Sequence, residues 1–374
     1  MTVAASLPAT LPGRYYHDPA IYALEQDRIF SAMWVCAGRA EDAPGPGSFA
    51  CATVAGESLI LACDKAGERR AFYNICRHRG ARLCSERRGH GASLRCPYHA
   101  WTYGLDGRLL GAPMLSQLVA HGFDPASAAL APVATEVWQG MLWVKLGAGA
   151  RSVAEQHEPA IADRFHGDPV LARYHLAELR SGRTVEYDVA ANWKLLIENF
   201  MECSHCGPMH PELCRVVPSF REGVGSFLQQ GRGVELAPGI DAFSMSGHRA
   251  RPPLPGLDGH QARQVHALVL LPNVLLLLVP DHVICFLLSP QAADRTHVRC
   301  DWLFAPDALS APDFDPTDAV ALFDTVNRQD WHVVELAQQS MSSRSWRGGV
   351  LAPSEHQIRA FNEFVVHQLG VGPA

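Results

Sequence analysis

With 374 residues the chain is long enough for two or three domains and a sizeable buried core. Hydrophobic residues at 48% against charged residues at 19%, with 31 Gly and 26 Pro spread throughout, exclude a disordered chain and a coiled coil. A formal net charge of −6 provides no chain-wide basic field, which argues against nucleic acid as a partner and for small molecules or proteins.

From Met1 to Tyr16 no basic segment precedes a long apolar run, so no secretory signal is expected. In that setting 11 cysteines, an odd number, read as metal ligands or core residues rather than a disulfide framework, and the cytoplasm is the expected compartment. Ile21, Leu24, Ile29, Phe30 and Met33 form a rough helical stripe, stopped by Pro44-Gly45-Pro46-Gly47. Between Ser48 and Leu146 short β-type runs (Ser58 to Ala62, Ala71 to Ile75, Met141 to Val144) alternate with Gly-rich and charged turns, the pattern of a small all-β domain. Beyond it lie a helix-like segment from Asn192 to Cys206, strands from Val265 to Leu288, and a final helical region from Asp318 to Ser340, the pattern of an α+β domain with antiparallel strands. The apolar stretch Ala267 to Pro280 is broken by Pro272-Asn273 and falls short of the roughly 20 residues that span a bilayer. It reads as two buried strands around a turn, and no membrane partner is expected.

Within the β region stands Asn74-Ile75-Cys76-Arg77-His78-Arg79-Gly80, and after a gap of 17 residues comes Cys96-Pro97-Tyr98-His99-Ala100-Trp101. Each half offers one thiolate and one imidazole on a tight loop. Two thiolates on one iron and two imidazoles on the other make a Rieske [2Fe–2S] centre, whose neutral histidines raise its reduction potential. Zinc accepts the same ligand types, but zinc sites usually pair like with like, whereas here each half is mixed. The region resembles the Rieske domain family. Arg69, Arg70, Arg77, Arg79, Arg82, Arg87, Arg88 and Arg95 crowd the same stretch, either as a solvated face or as a field that offsets the cluster's charge and steers an acidic electron donor.

The second constellation runs from Asn192 through Glu198, Asn199, Glu202, Cys203, His205 and Cys206 to His210-Pro211-Glu212. On one continuous helix His205 and His210 would stand about 140° apart at roughly 100° per residue. Gly207-Pro208 is expected to interrupt that helix and let both imidazoles meet one metal in a 2-His-1-carboxylate triad. Zinc held by Cys203, Cys206 and the histidines is the rival. For the carboxylate, Asp330 projects from a stripe with Val326, Val334 and Ala337 and is favoured as a buried ligand. Asp324 shares a mixed face with Asn327, Arg328 and Trp331 and is expected to be a solvated charge; Glu335 is the third acid of the segment.

From Leu11-Pro12-Gly13-Arg14-Tyr15-Tyr16 to Asp330-Trp331, Glu335 and Gln338 the chain resembles the α subunit of a Rieske non-heme iron oxygenase. The resemblance implies an α+β protein: an N-terminal segment (1–36) packing on the catalytic domain, a small all-β Rieske domain (37–149), and a catalytic domain (150–374) with a curved antiparallel sheet covered by helices. It implies Cys76, His78, Cys96 and His99 as cluster ligands, and His205, His210 and Asp330 as ligands of a mononuclear Fe(II). It further implies O2 as cosubstrate, NAD(P)H electrons delivered by a separate reductase, sometimes through a ferredoxin, and a homotrimer in which one subunit's cluster feeds its neighbour's iron.

Ring-hydroxylating members place aspartate three residues before the first iron histidine, whereas this chain has Glu202. With Glu202-Cys203-x-His205-Cys206-x-x-x-His210-Pro211 this is similar to the branch that oxidises glycine betaine, carnitine, choline and stachydrine. The expected reaction is hydroxylation of an N-methyl group followed by loss of formaldehyde, with Glu202 and Asn199 as candidate catalytic residues and Glu202 bridging the two metal centres from a helical turn before His205. Phe200, Phe220, Phe227 and Phe243 are candidate linings for a trimethylammonium group, and a substrate carboxylate would want an Arg or His partner. An aromatic-ring hydroxylase or dihydroxylating dioxygenase, with a larger and purely apolar pocket, is the alternative enzyme. A Rieske electron carrier is the alternative of another class, and it leaves the second metal constellation unexplained.

Overall fold

A computed structural model describes residues 7–225 and 231–371. The chain divides into two compact units: one runs up to Ile29 and resumes at His157, and the other is Phe30–Gln156.

The second unit is built from strands β1 (Val35–Arg39), β2 (Ser48–Val54), β3 (Glu57–Cys63), β4 (Arg69–Tyr73), β5 (Arg88–His90), β6 (Ser93–Arg95), β7 (Thr102–Gly104), β8 (Leu109–Gly111), β9 (Pro132–Trp138) and β10 (Met141–Lys145). Seven of them form one sheet in the order β1-β10-β9-β4-β3-β2-β5, and β6-β7-β8 form a separate three-stranded sheet. Every pairing is antiparallel. The buried faces close on a core of Ile60, Phe72, Leu83, Leu94, Trp101, Tyr103 and Leu130, and Cys76 and Cys96 belong to that same core. Two thiols are thus held in a dry, apolar setting on adjacent loops.

The first unit carries a six-stranded antiparallel sheet, β11 (Arg180–Val189), β12 (Val234–Glu235), β13 (Gln264–Leu270), β14 (Val274–Leu278), β15 (Val283–Ala292) and β16 (Arg295–Phe304), in the order β11-β16-β15-β14-β13-β12. The apolar stretch at 267–280 becomes the end of β13 and all of β14, and every residue of β14 is buried. A strand covered on both faces needs no polar alternation, which is why its sequence is Val-Leu-Leu-Leu-Leu. β11, at the edge of the sheet, alternates apolar and polar residues from Val185 to Val189 instead.

Helix Trp193–Met201 packs against helices Thr317–Ser340 and His356–Leu369 and against β15. Its start follows from Asn192, whose Oδ1 accepts the Lys194 N–H at 3.0 Å and so satisfies one of the helix's unpaired donors. No helix among the described residues is long and apolar enough to cross a membrane.

Candidate active site

In the Phe30–Gln156 unit the loops after β4 and β6 present the two Cys/His pairs. Each loop closes on its own backbone: the Cys76 N–H donates to the Ala81 carbonyl (2.8 Å) and the Gly80 N–H to that of Cys76 (3.0 Å), while the Cys96 N–H donates to Trp101 (2.8 Å) and the Ala100 N–H to Cys96 (3.1 Å). Gly80 (φ 72°) and Ala100 (φ 57°) turn the two loops through the left-handed region. The thiols are buried and the imidazoles come to the surface, His78 being exposed. The His78 and His99 rings lie 4.7 Å apart between centroids, nearly perpendicular, and Trp101 stacks on His78 at 4.9 Å. His99 Nδ1 is buried without a hydrogen-bond partner among the described residues. A buried nitrogen in that state requires an acceptor or a metal, and with the His78 ring 4.7 Å away and the thiols of Cys76 and Cys96 on the same two loops the residue types fit a Rieske cluster. Burial, then the neighbouring His78 and Arg79, push the His99 pKa below that of an ordinary imidazole, which keeps the ring neutral as a ligand must be.

Two contacts here carry no signal in local spacing. The Tyr103 hydroxyl lies 3.4 Å from Cys76 Sγ and accepts the Arg77 N–H at 3.1 Å. Asn74 ties the first loop down, its Oδ1 accepting the N–H groups of Leu83 and Cys84 and its Nδ2 donating to the Cys84 carbonyl. The arginine-rich stretch also resolves into parts. Arg70 is paired with Asp64 and Arg88 with Asp42, Arg79 lies over the Tyr98 ring, and Arg77 and Arg95 border the open groove at the Cys/His loops.

In the other unit the histidines are placed by a broken helix. Helix Trp193–Met201 ends where Glu202 turns extended (φ −130°, ψ 166°). A tight turn brings the chain to His205, which begins the one-turn helix Cys206–Met209, and His210 (φ −120°, ψ 66°) ends it and leads into Pro211–Val216. The expectation that Gly207-Pro208 breaks the helix is therefore corrected: both residues lie inside the short helix, and the breaks fall at Glu202 and His210. Pro208 is tolerated because the first turn of a helix has no intrahelical use for its N–H. Gly207 serves close approach, since a Cβ there would stand 2.8 Å from the Arg221 carbonyl oxygen. Glu202 likewise is not on the same helix as His205; the turn, rather than a shared helical face, brings its Oε1 onto His205 Nδ1 while Oε2 accepts the Ser204 N–H.

The two imidazoles stand at either end of one turn, perpendicular, with centroids 5.2 Å apart. Asp330, from helix Thr317–Ser340, reaches both: its Oδ1 is 3.3 Å from His205 Nε2 and 3.0 Å from His210 Nε2. Burial alone would raise the Asp330 pKa, but the two imidazoles hold it below the ordinary carboxylate value. Burial would lower that of His205, yet Asp330 and Glu202 outweigh it and hold the ring's pKa at about 10, so the two carboxylates call for positive charge at this ring, which a metal ion displacing its Nε2 proton would supply. Two nitrogens and one anionic oxygen thus converge with their outer atoms committed elsewhere, which is the donor chemistry of a facial triad. Asn199 Nδ2 lies 3.3 Å from Asp330 Oδ1 and 3.4 Å from His205 Nε2. His210 Nδ1 is bonded to Gln329 Oε1 at 2.6 Å, and Gln329 Nε2 donates to Glu212 at 3.4 Å. Gln329 is a site residue that the sequence reading missed.

Cys206 also places its sulfur near the two histidines. It is bonded to Cys203, against the expectation that the cysteines serve only as ligands or core, so neither sulfur is a thiolate and the zinc rival loses its ligands. Asp324 is not a free solvated charge either: it accepts the Tyr187 hydroxyl at 2.6 Å and Arg328 Nε at 3.0 Å. Glu335 accepts the Ala190 N–H and stands outside the cluster.

Beside the cluster opens a cavity lined by Phe200, Phe220, Phe243, Phe286, Phe323 and Trp331 with Leu196, Met201, Leu213, Leu275, Leu277 and Val326. Three of the four phenylalanines expected from sequence are there, and Phe227 lies outside the described residues. Asn199, Glu202, His205, His210, Asn327 and Asp330 supply its polar groups.

Family descriptions match both units: the Rieske [2Fe-2S] domain over residues 33–124 and the ring hydroxylating alpha subunit (catalytic domain) over 176–370. The chain is 32% identical to the glycine betaine monooxygenase oxygenase subunit of Chromohalobacter salexigens, over 91% of this chain and 81% of that one. Its fold is similar to that of the quaternary ammonium Rieske monooxygenase CntA (TM-score 0.75, 23% identity, covering 97% and 96% of the two chains). It is similar to nearly the same degree to naphthalene 1,2-dioxygenase from a Rhodococcus species (TM-score 0.74, 20% identity, 96% and 94%), so the fold by itself does not choose between ammonium and arene substrates. With a Cys/His pair on each of two loops, a two-histidine-one-aspartate cluster and both domain types matched, the chain belongs to the Rieske non-heme iron oxygenase α subunits, the oxygenase component of that enzyme family.

Proposed function

We propose that the protein uses O2 and reductase-supplied electrons to hydroxylate an N-methyl group of a quaternary ammonium compound. The observation that carries this reading is the aromatic-walled cavity opening on the His205, His210 and Asp330 cluster, with Glu202 on the outer nitrogen of His205. Aromatic faces attract a cation that offers no hydrogen-bond donor. The 32% identical glycine betaine monooxygenase subunit supports the same reading.

In this reading Cys76, His78, Cys96 and His99 would hold the cluster, and His205, His210 and Asp330 would hold the iron. Bound there, the two centres would supply electrons one at a time and activate O2. Glu202 fixes the His205 ring through its Nδ1–H, Gln329 fixes His210 in the same way, and each leaves Nε2 free for metal. Asn199 faces the His205 and Asp330 donor atoms, and the apolar wall makes the surroundings of the substrate less polar than water. One oxygen atom of O2 enters a C–H bond of the N-methyl group while two electrons and two protons carry the other atom to water. The resulting N-hydroxymethyl ammonium then breaks its C–N bond, the electron pair goes to nitrogen, and formaldehyde leaves as the hydroxyl proton passes to solvent. The electrons come from NAD(P)H through a separate reductase, directly or through a ferredoxin, and the working form is a trimer in which Glu202 links one subunit's iron ligand to a neighbour's cluster histidine.

A neutral arene is the second reading, favoured by the same apolar wall. The test is formaldehyde release coupled to O2 uptake, with a surrogate reductase and NADH, across methylated ammonium compounds. Stoichiometric formaldehyde supports the proposal. Its absence with every such compound, together with a hydroxylated arene product, overturns it.

A further inference from the structure

His205 stands between two cysteines whose sulfur chemistry the reaction proposed above does not use. Cys203 and Cys206 are bonded to each other, both are buried, and both line the aromatic cavity. The two sulfurs are not equivalent. Cys206 opens the one-turn helix that carries the histidines at its ends, and its Sγ lies 3.9 Å from His205 Nε2. That sulfur and one ring nitrogen from each of His205 and His210 all lie within 4.8 Å of one another. Across a tetrahedral zinc ion a sulfur and a nitrogen ligand are roughly 3.6 Å apart, so Cys206 already stands near ligand distance. Cys203 packs instead against Gly225, where a Cβ would stand 3.7 Å from its sulfur. While the two are bonded, neither sulfur carries the negative charge that makes a thiolate a strong, soft ligand.

We propose that the Cys203–Cys206 pair sets which metal this cluster takes: as a disulfide it leaves two nitrogens and one oxygen, which suit iron, and as a dithiol it adds the Cys206 thiolate and the site takes zinc. The inference rests on His205, His210 and Asp330 as metal ligands and is independent of the substrate. Reduction by a small dithiol breaks the S–S bond, passes two electrons and two protons to the pair, and leaves the dithiol as its own disulfide. When a metal ion then enters, the Cys206 thiol loses its proton to solvent and its sulfur becomes a fourth protein donor. Thiolates select softer ions, and zinc stands above iron(II) in the affinity order of divalent metals. Four protein donors are also the closed set of a structural zinc site, whereas a catalytic site keeps one position open. Zinc has no redox chemistry, so the dithiol form would be a closed and inactive one.

The experiment uses the full chain with its cluster in place and the second site loaded with zinc after mild chelation of its iron. X-ray absorption at the zinc edge sees that ion alone and separates sulfur at about 2.3 Å from nitrogen and oxygen at about 2.0–2.2 Å. The reductant is a phosphine, which becomes its oxide with an oxygen from water and brings no sulfur of its own. The oxidised chain is expected to show only nitrogen and oxygen around zinc, and the reduced chain one sulfur. Chelator competition should show zinc held about 100-fold more tightly after reduction, the upper end of what a supporting partner of a ligand is worth. Cys203→Ser, which cannot form the disulfide, should show the sulfur without reductant, and Cys206→Ser should show none in either state. Nitrogen and oxygen alone in the reduced chain, with two further thiols counted by alkylation and mass spectrometry, overturns the inference and leaves the three-ligand site standing. Sulfur on zinc in the oxidised chain, or in folded Cys206→Ser, overturns it equally. Zinc bound in neither state removes the three-ligand site and the inference with it.

Discussion

Three side chains carry most of the second site's chemistry, and each has a separable role. Among the described residues Asp330 is the only anion shared by both imidazoles. Asp330→Ala should therefore leave the visible cluster spectrum intact, lower iron content at least tenfold, and abolish oxygenation. Asp324→Ala, which removes a partner of Tyr187 and Arg328 only, should retain iron; an Asp324 variant that loses iron while Asp330→Ala keeps it would reverse the assignment. Glu202→Gln keeps an oxygen for His205 Nδ1 and removes the charge. Both metals and a reducible cluster should remain while turnover falls about 10- to 100-fold, with the loss in reoxidation of the reduced cluster in the presence of substrate and O2. Reoxidation at the unaltered rate would end the bridging role. Gln329→Ala deprives His210 Nδ1 of its acceptor, so the imidazole is free to rotate or to change tautomer. Iron affinity should drop about tenfold, measured by chelator competition, and Gln329→Glu should recover part of it.

At the scale of elements, what was legible depended on sequence distance. Cys76 and His78, Cys96 and His99, and His205 and His210 sit within single loops or turns, so their spacing encodes their chemistry. Tyr103 meets Cys76 across 27 residues, Gln329 meets His210 across 119, and Tyr16 meets Glu198 across 182, and no local pattern marks such partners. Helical periodicity placed Asp330 with Val326 and Val334 on a buried face of Thr317–Ser340, but Asn327 and Trp331, on the face read as mixed, are buried too, because the helix is enclosed on more than one side. It misplaced the break near His205, because a Gly-Pro pair in a helix's first turn costs little and the actual break is made by backbone turns at Glu202 and His210. The helix that precedes the histidines holds a charged group with its own pH signature. Burial lifts the Glu198 carboxyl to a pKa of about 7, against the opposing effects of the Tyr16 hydroxyl, 2.7 Å away, and of Lys194. A carboxyl whose folded pKa exceeds its unfolded value of about 4.3 stabilises the fold while protonated, fully below the unfolded pKa, and loses that contribution as pH rises through about 7. Glu198→Gln retains an acceptor for Tyr16 and cannot ionise. Its stability relative to the unaltered protein should therefore rise between about pH 5 and about pH 8, by on the order of 2 kcal/mol, read from urea midpoints. A flat difference across that range would mean that Glu198 ionises as readily in the fold as in the unfolded chain.

For the whole molecule, the two candidate centres draw their protein ligands from different compact units, all four cluster residues from Phe30–Gln156 and all three iron residues from the other. The all-β and α+β characters of these stretches were legible because short alternating runs and a doubly buried strand such as β14 leave period-two or continuous apolar signatures. The division of ligands has a direct consequence. Cys96 belongs to the apolar core of its own unit, so Cys96→Ala removes a cluster ligand and some local packing, whereas His78, on the exposed side of its loop, can be changed with little cost to that core. His78→Ala should therefore abolish the Rieske absorption and EPR signals in a folded protein while ferrous iron still binds at His205, His210 and Asp330 with near-normal affinity, and Cys96→Ala should do the same with a lower melting temperature. Reduction and O2 uptake should fail in both, because the iron site then has no electron source. The discriminating measurement is metal content against folding: one iron retained per folded chain in His78→Ala supports independent sites, and loss of that iron together with the cluster, with circular dichroism unchanged, would show that the two centres assemble as one.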